Sequence, residues 1–102
     1  MKRTLLVTTL MVILSLNGFA QQRKYSTFYY QRATLFESLP VSSKDIIFLG
    51  NSITNGGEWC ELFNDKKFKN RGISGDVTMG VYDRLDPILK GKPAKIFLLI
   101  GI

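Results

Sequence analysis

Two runs of apolar residues stand out along the chain, and each ends at or near a glycine. They span Asp45–Gly50, where four apolar residues lead directly into glycine, and Lys95–Ile102. A shorter segment, Phe68–Asn70, leads into a loop that also contains glycine. Runs rich in β-branched and aromatic residues are typical of strands buried on both faces of a parallel sheet. The pattern therefore predicts three strands.

Helical segments precede and separate these strands. Tyr25 to Ser38 is predicted to form a helix that ends before Pro40, because a helix rarely continues into a proline. The side chains expected to face inward on this helix include Phe28, Leu35 and Phe36. Glu58 to Phe63 fits a shorter helix between the first two strands.

A further helix is predicted between the second and third strands. Asp76 or Thr78 is expected to cap its start, and it should run through Leu89. Its apolar stripe comprises Val81, Leu85 and Leu89. Pro87 lies inside this stretch, so we expect a break or kink near Asp86. Strands that alternate with helices predict an α/β fold with a parallel sheet.

The first residues of the chain have the pattern of a secretory signal peptide. Lys2-Arg3 precedes the apolar stretch Leu5 to Leu16, and Gly18-Phe19-Ala20 places small residues at a cleavage site. The alternative is an uncleaved membrane anchor, but the apolar stretch is shorter than the roughly 20 residues that span a bilayer. We therefore expect export to the periplasm or medium, cleavage after Ala20, and no stable membrane anchor.

Composition excludes several functional classes. The formal charge is +6, but the basic residues are dispersed apart from Lys66-Lys67 and Lys69, so no nucleic-acid surface is predicted. Cys60 is the only cysteine, which rules out an intramolecular disulfide. It is expected to sit on a short helix as a small apolar residue, since no base for a catalytic thiol is in view. No metal or cofactor is expected.

The segment Gly50-Asn51-Ser52 is the first candidate for chemistry. Parallel sheets place their ligands at the carboxyl ends of strands, and a serine beside a tight turn at that edge is a candidate nucleophile. The alternative is that Asn51 or Ser52 only caps a helix.

Two further segments follow the other predicted strands. Asn70-Arg71-Gly72-Ile73-Ser74-Gly75-Asp76 comes after the second strand, and the third strand reaches Gly101. Together with Gly50-Asn51-Ser52, they resemble the first blocks of the SGNH (GDSL-like) hydrolase family. The likeness is to its platelet-activating-factor acetylhydrolase-like and sugar O-acetylesterase branches, and it extends from Tyr25 to the last residue. It implies a three-layer αβα, flavodoxin-like domain over residues 21–102, after a signal peptide at residues 1–20. The expectation is that this domain is truncated after its third strand.

The resemblance assigns roles to individual residues. Ser52 matches the nucleophile and supplies one backbone N–H of the oxyanion hole, and Gly75 matches the glycine that supplies the second. Asn51 stands where the family usually has aspartate, which removes a negative charge beside the nucleophile. Asn70 and Asp76 are expected to order the loop and cap a helix rather than to catalyse. The family's third oxyanion donor, an asparagine, would follow the end of this sequence.

The sequence contains no histidine. A serine nucleophile of this type needs an imidazole to accept its proton. The first hypothesis is therefore a secreted serine esterase that cleaves small esters, such as the acetyl group of a sugar, and whose remaining catalytic groups lie beyond this sequence. The second is a non-catalytic remnant or binding domain of the same fold. A third is a nucleotide-binding domain that uses Gly72 and Gly75 as a phosphate loop.

Overall fold

The computed structural model describes residues 23–101. The predicted signal peptide and its cleavage site lie outside the described residues. The elements, in chain order, are α1 (Thr27–Ser38), β1 (Ile46–Gly50), α2 (Ser52–Asn55), α3 (Trp59–Leu62), β2 (Phe68–Gly72), α4 (Thr78–Asp83), α5 (Asp86–Lys90) and β3 (Lys95–Leu99).

The three strands form one parallel sheet in the order β2-β1-β3. Gly50 at the end of β1 lies opposite Gly72 of β2 and Leu99 of β3. All three strands therefore end at the same edge of the sheet. The predicted α/β fold with a parallel sheet flanked by helices is confirmed. The second strand is longer than predicted, because it continues past Asn70 to Gly72.

Alternate side chains of β1 pack against helices on opposite faces of the sheet. Ile47 and Leu49 are almost fully buried and form a cluster with Val81 of α4 and Ile88 of α5. Phe48 points the other way. Its ring stacks on that of Trp59 in α3, with a centroid separation of 4.8 Å. Burial of each large apolar side chain contributes about 1.5–3 kcal/mol to folding.

The inward face of α1 differs from the prediction. The structure buries Tyr29 and Phe36, which pack with Ile73, whereas Phe28 is 40% and Leu35 41% exposed. Tyr29 and Phe36 are seven residues apart and so lie on one side of the helix. The helix begins where the Ser26 hydroxyl oxygen accepts a hydrogen bond from the Tyr29 N–H at 3.1 Å. Of the three predicted inward side chains, only Phe36 is buried.

The predicted break before Pro87 is confirmed. α4 ends at Asp83, and α5 begins at Asp86 with Pro87 in its first turn. Proline is tolerated there, because the N–H groups of the first turn have no partner within the helix. The break changes which side chains face the sheet. Ile88 is buried, whereas the predicted stripe member Leu89 is 51% exposed.

β3 lies at an edge, because it pairs only with β1 among residues 23–101. All five of its residues are exposed. Cys60 lies on the short helix α3, as predicted, and is exposed. No helix within the described range is long and apolar enough to cross a membrane.

Candidate active site

The loops that follow the strands enclose a cavity of about 390 Å³, here called the Ser52 cavity. It is lined by Asn51, Ser52, Gly75, Asp76, Val77, Thr78 and Gly101. β1 and β2 are paired up to Gly50 and Gly72, so the loops carrying Ser52 and Gly75 leave adjacent strands at one edge. The structure thus brings together four of the five residues selected from the sequence. The fifth, Asn70, does not line the cavity.

Ser52 is the first residue of α2, and its side chain is exposed. Asn51 occupies the N-cap position but makes no side-chain capping hydrogen bond, which contradicts the interpretation of this residue as a side-chain cap. Its Nδ2 instead donates to the backbone oxygen of Gly101 at 3.3 Å. That contact joins the serine turn to the segment after β3. The Ser52 N–H finds no hydrogen-bond acceptor among residues 23–101.

Gly75 occupies a turn that requires its backbone conformation. The Asp76 N–H donates to the Ile73 oxygen at 3.1 Å, which closes a four-residue turn with Gly75 in the third position. The φ angle of Gly75 is +81°, as the third residue of a type II turn demands. In such a turn the N–H of the third residue makes no turn hydrogen bond, and within the described part of the chain the Gly75 N–H has no acceptor.

Asp76 does not cap a helix. The N-cap of α4 is Val77, and no side chain caps this helix, so neither Asp76 nor Thr78 has the predicted role. The Asp76 carboxylate is buried, and both of its oxygens are engaged. Oδ2 accepts from Nε of Arg84 at 2.8 Å, and Oδ1 accepts from the Val77 N–H at 2.8 Å. It is therefore held by the protein and does not reach toward Ser52 as a base.

Asn70 orders the backbone behind the cavity. Its Nδ2 donates to the oxygens of Asn55 at 3.2 Å and Gly57 at 2.9 Å, while its Oδ1 accepts from the Gly72 N–H at 2.8 Å. One amide therefore fixes the loop after α2 against the end of β2. These three bonds use all but one of the amide's hydrogen-bonding positions.

The phosphate-loop hypothesis has no support in this geometry. The Gly72 N–H is occupied by Asn70 and does not face the cavity. A Cβ at Gly72 would lie 2.3 Å from the Asn55 backbone nitrogen, so this glycine allows two backbone segments to approach closely. Within residues 23–101, no group of three or more His, Cys, Asp or Glu side chains is arranged to hold a metal ion.

Arg84 is the residue that sequence reasoning missed. It was counted among the dispersed basic residues, yet its side chain is only 4% exposed. A signal was present, since Arg84 follows Val81 by three positions and precedes Ile88 by four, which places it on the buried side of this segment. An arginine at such a position needs buried acceptors.

Comparison with known proteins adds no assignment, because no protein-family model and no curated protein matches the chain. A function can therefore be argued from two observations. One is the set of residues around the Ser52 cavity, and the other is the resemblance of the segments that form it to the first sequence blocks of SGNH hydrolases.

Proposed function

We propose that Ser52 is the nucleophile of a secreted SGNH-type serine esterase. One observation carries the proposal. Ser52 and Gly75 line a single cavity at the carboxyl edge of the sheet, and the backbone N–H of each lacks an acceptor within residues 23–101. Acyl transfer requires N–H groups that are available to the developing oxyanion, and these two have no acceptor in the described part of the chain.

The proposed reaction proceeds through an acyl-serine. The Ser52 Oγ attacks the ester carbonyl carbon, and the carbonyl oxygen becomes negatively charged as the new C–O bond forms. The N–H groups of Ser52 and Gly75 donate hydrogen bonds to that oxygen. The tetrahedral species then expels the alcohol, which takes up a proton, and water later releases the acid and regenerates the serine.

A base must accept the Ser52 proton, and this sequence has no histidine to do so. The proposal therefore includes groups supplied by sequence beyond Ile102: a histidine base, an aspartate that orients it, and an asparagine as the third oxyanion donor. Without them, the 102-residue chain should be inactive.

The proposed substrate is a small ester, such as an acetylated sugar. The Ser52 cavity of about 390 Å³ lies within the range for small-molecule sites, about 300–1,000 Å³. The assignment of an acetylated sugar rests on the resemblance alone. No cofactor takes part in the proposed reaction.

A second candidate is a non-catalytic binding domain of the same fold, which the absence of histidine favours. In that case the two N–H groups would hold a carbonyl or carboxylate oxygen without turnover. The two candidates differ in whether serine-dependent hydrolysis is measurable.

The test is to read the gene beyond codon 102 and to express the complete product for assay with p-nitrophenyl acetate. We expect turnover that Ser52→Ala abolishes. Ser43→Ala is the matched control, because Ser43 is an exposed serine in the turn before β1, at the opposite edge of the sheet. The 102-residue chain should hydrolyse the ester no faster than its own Ser52→Ala variant. Loss of the base and loss of one oxyanion donor should each lower the rate of hydrolysis by about 10²–10⁴-fold.

Two results would contradict the proposal. Turnover by the complete product that survives Ser52→Ala would exclude Ser52 as the nucleophile. A stop codon directly after codon 102, with an inactive product, would favour the binding domain.

A further inference from the structure

Arg84 directs its whole guanidinium group into the protein. Nε donates to Oδ2 of Asp76 at 2.8 Å, one terminal nitrogen donates to the Arg71 oxygen at 2.8 Å, and the other donates to the Gly50 oxygen at 3.1 Å. The side chains of Arg84 and Asp76 are 4% and 0% exposed. The guanidinium is therefore shielded from water and bound at every nitrogen.

The three acceptors belong to the segments that carry the candidate oxyanion donors. Gly50 ends β1 and lies two residues before Ser52. Asp76 directly follows Gly75, and Arg71 lies in β2, just before the turn that contains Gly75. Arg84 therefore joins residues 50–52, here called the serine segment, to residues 71–76, here called the glycine segment. The Asn70 side chain makes a second link, from the Asn55 oxygen at the end of α2 to the Gly72 N–H, but it bonds to neither Gly50 nor Asp76.

The chemistry of arginine suits this task. Its nitrogens are held in a rigid planar fork, so the three acceptors that they bind are kept at fixed positions relative to one another. Lysine has a single ammonium on a flexible stem and cannot reproduce that geometry. Charge-assisted hydrogen bonds are also stronger than neutral ones, above all where water is excluded.

Oxyanion donors act only when they are placed accurately. The donor nitrogen must lie about 2.7–3.1 Å from the oxygen of the transition state, and a displacement of about 1 Å can cost 10²-fold in rate. The Asp76 N–H bond to the Ile73 oxygen closes the Gly75 turn, and the Ile73 N–H donates to the Gly50 oxygen at 3.0 Å, which holds one side of the turn against the end of β1. On the other side the Asp76 carboxylate is fixed by Arg84. The position of the Gly75 N–H relative to Ser52 thus depends on this backbone bond and on the guanidinium together.

We infer that Arg84 is a positioning residue that sets the spacing of the Ser52 and Gly75 N–H groups for the transition state. It does not touch the substrate. This inference rests on the proposed esterase function. If Arg84 only stabilised the fold, its loss would lower stability without a specific effect on turnover.

The test uses Arg84→Lys in the complete gene product, with kcat and KM measured for p-nitrophenyl acetate well below the melting temperature. We expect kcat to fall about 10²-fold, with KM changed by less than about threefold, because the donors act on the transition state. Arg32→Lys is the matched control. Its guanidinium also lies over the Phe36 ring, at 4.9 Å against 5.8 Å for Arg84, but makes no bond to the serine or glycine segments.

A second control distinguishes a loss of protein stability from a displacement of the two N–H donors. Ile88→Val removes one buried methyl group from the cluster around Ile47 and Leu49 and none of the acceptors of the guanidinium, so it lowers stability but should leave kcat unchanged. If Arg84→Lys does not fold, Asp76→Asn provides the same comparison, since it keeps the shape of the carboxylate and removes its charge. It should lower kcat about tenfold, and a kcat equal to that of the wild type in this variant would overturn the inference.

An independent readout comes from the amide resonances of Ser52 and Gly75 in ¹⁵N-labelled protein. Both should shift in Arg84→Lys, and neither should shift in Arg32→Lys or Ile88→Val. Failure of this inference is distinguishable from failure of the proposed function. A wild type without Ser52-dependent turnover defeats both, whereas Ser52-dependent turnover with an unchanged kcat in Arg84→Lys defeats the inference alone.

Discussion

The hydroxyl of Tyr29 donates a hydrogen bond to the backbone oxygen of Gly80 at 2.6 Å and so joins α1 to α4. Tyr29 is only 5% exposed. Burial, with a smaller effect from the charge of Asp76, raises the pKa of Tyr29 to about 12. A phenolate at this position would lose the hydrogen bond and face a carbonyl oxygen.

This relationship predicts how stability depends on pH. The folded-state pKa lies above the ordinary value of 10.0, so Tyr29 contributes its full stabilisation below that pH and loses it as the pH rises toward about 12. Over that interval the free energy of unfolding should fall less steeply in Tyr29→Phe than in the wild type. At neutral pH the variant should lose about 1 kcal/mol, for the missing hydrogen bond. Urea denaturation at a series of pH values measures both effects.

Tyr82→Phe is the control for the Tyr29 experiment, because Tyr82 is 68% exposed and its hydroxyl makes no hydrogen bond within the described residues. Its stability curve should follow that of the wild type. An equally steep fall in Tyr29→Phe would show that ionisation of Tyr29 is not coupled to unfolding.

A second prediction concerns the two glycines near the cavity. A Cβ at Gly75 would meet no atom within 4 Å, so Gly75→Ala should cost only the strain of a left-handed backbone, about 1–2 kcal/mol. Gly72→Ala should cost more, about 3 kcal/mol, because its Cβ would collide with the Asn55 backbone. Thermal or urea denaturation measures the loss of stability in each of the two variants. Within the Gly75 series, asparagine should be tolerated better than valine, and the reverse order would contradict the assigned turn.

A third prediction concerns Asn70. Asn70→Asp keeps the acceptor for the Gly72 N–H but replaces the two donors with a charged oxygen that faces carbonyl groups. We expect the free energy of unfolding to fall by about 2–3 kcal/mol. The same substitution at the exposed Asn64 should change it by less than about 0.5 kcal/mol. Equal effects at both positions in urea denaturation would mean that the Asn70 bonds do not hold the loop.

A fourth prediction concerns the leader. Export should remove residues 1–20, because a basic start, an apolar stretch and a small-residue cleavage site follow one another in the required order. Mass spectrometry of the exported protein should find Gln21 at the N-terminus. Changing Ala20 to a bulky residue should block cleavage, and an exported protein that keeps Met1 would show that the segment is not a cleaved signal.

The sheet was predictable because its strands carry a local signal. The apolar run of β1 and the helices between strands sufficed for the parallel α/β architecture. The inward face of α1 was not predictable from hydropathy, which favours Phe28 and Leu35 over Tyr29. The buried face packs on Ile73, and the Tyr29 hydroxyl bonds to Gly80; both contacts are long-range, so no local pattern contains them.

The candidate site likewise has features that the sequence predicts and features that it does not. Ser52 and Gly75 follow strands in the sequence, so their meeting at one edge could be anticipated from a parallel sheet. The role of Asp76 could not be anticipated, because a carboxylate before a helix ordinarily acts as a cap. Its buried partner, Arg84, is eight residues away in sequence and meets it only after the chain turns into α4.

The exposure of β3 has a consequence for any work with this chain in solution. Ile96, Phe97, Leu98 and Leu99 are between 38% and 56% exposed, on a strand that pairs along one side only within residues 23–101. An apolar strand with free backbone groups is a template on which another copy can pair. Soluble yield should therefore depend on protein concentration and on this strand rather than on the cavity. A variant at Ser52, Gly75 or Arg84 can be compared fairly with the wild type only at concentrations where both are monomeric.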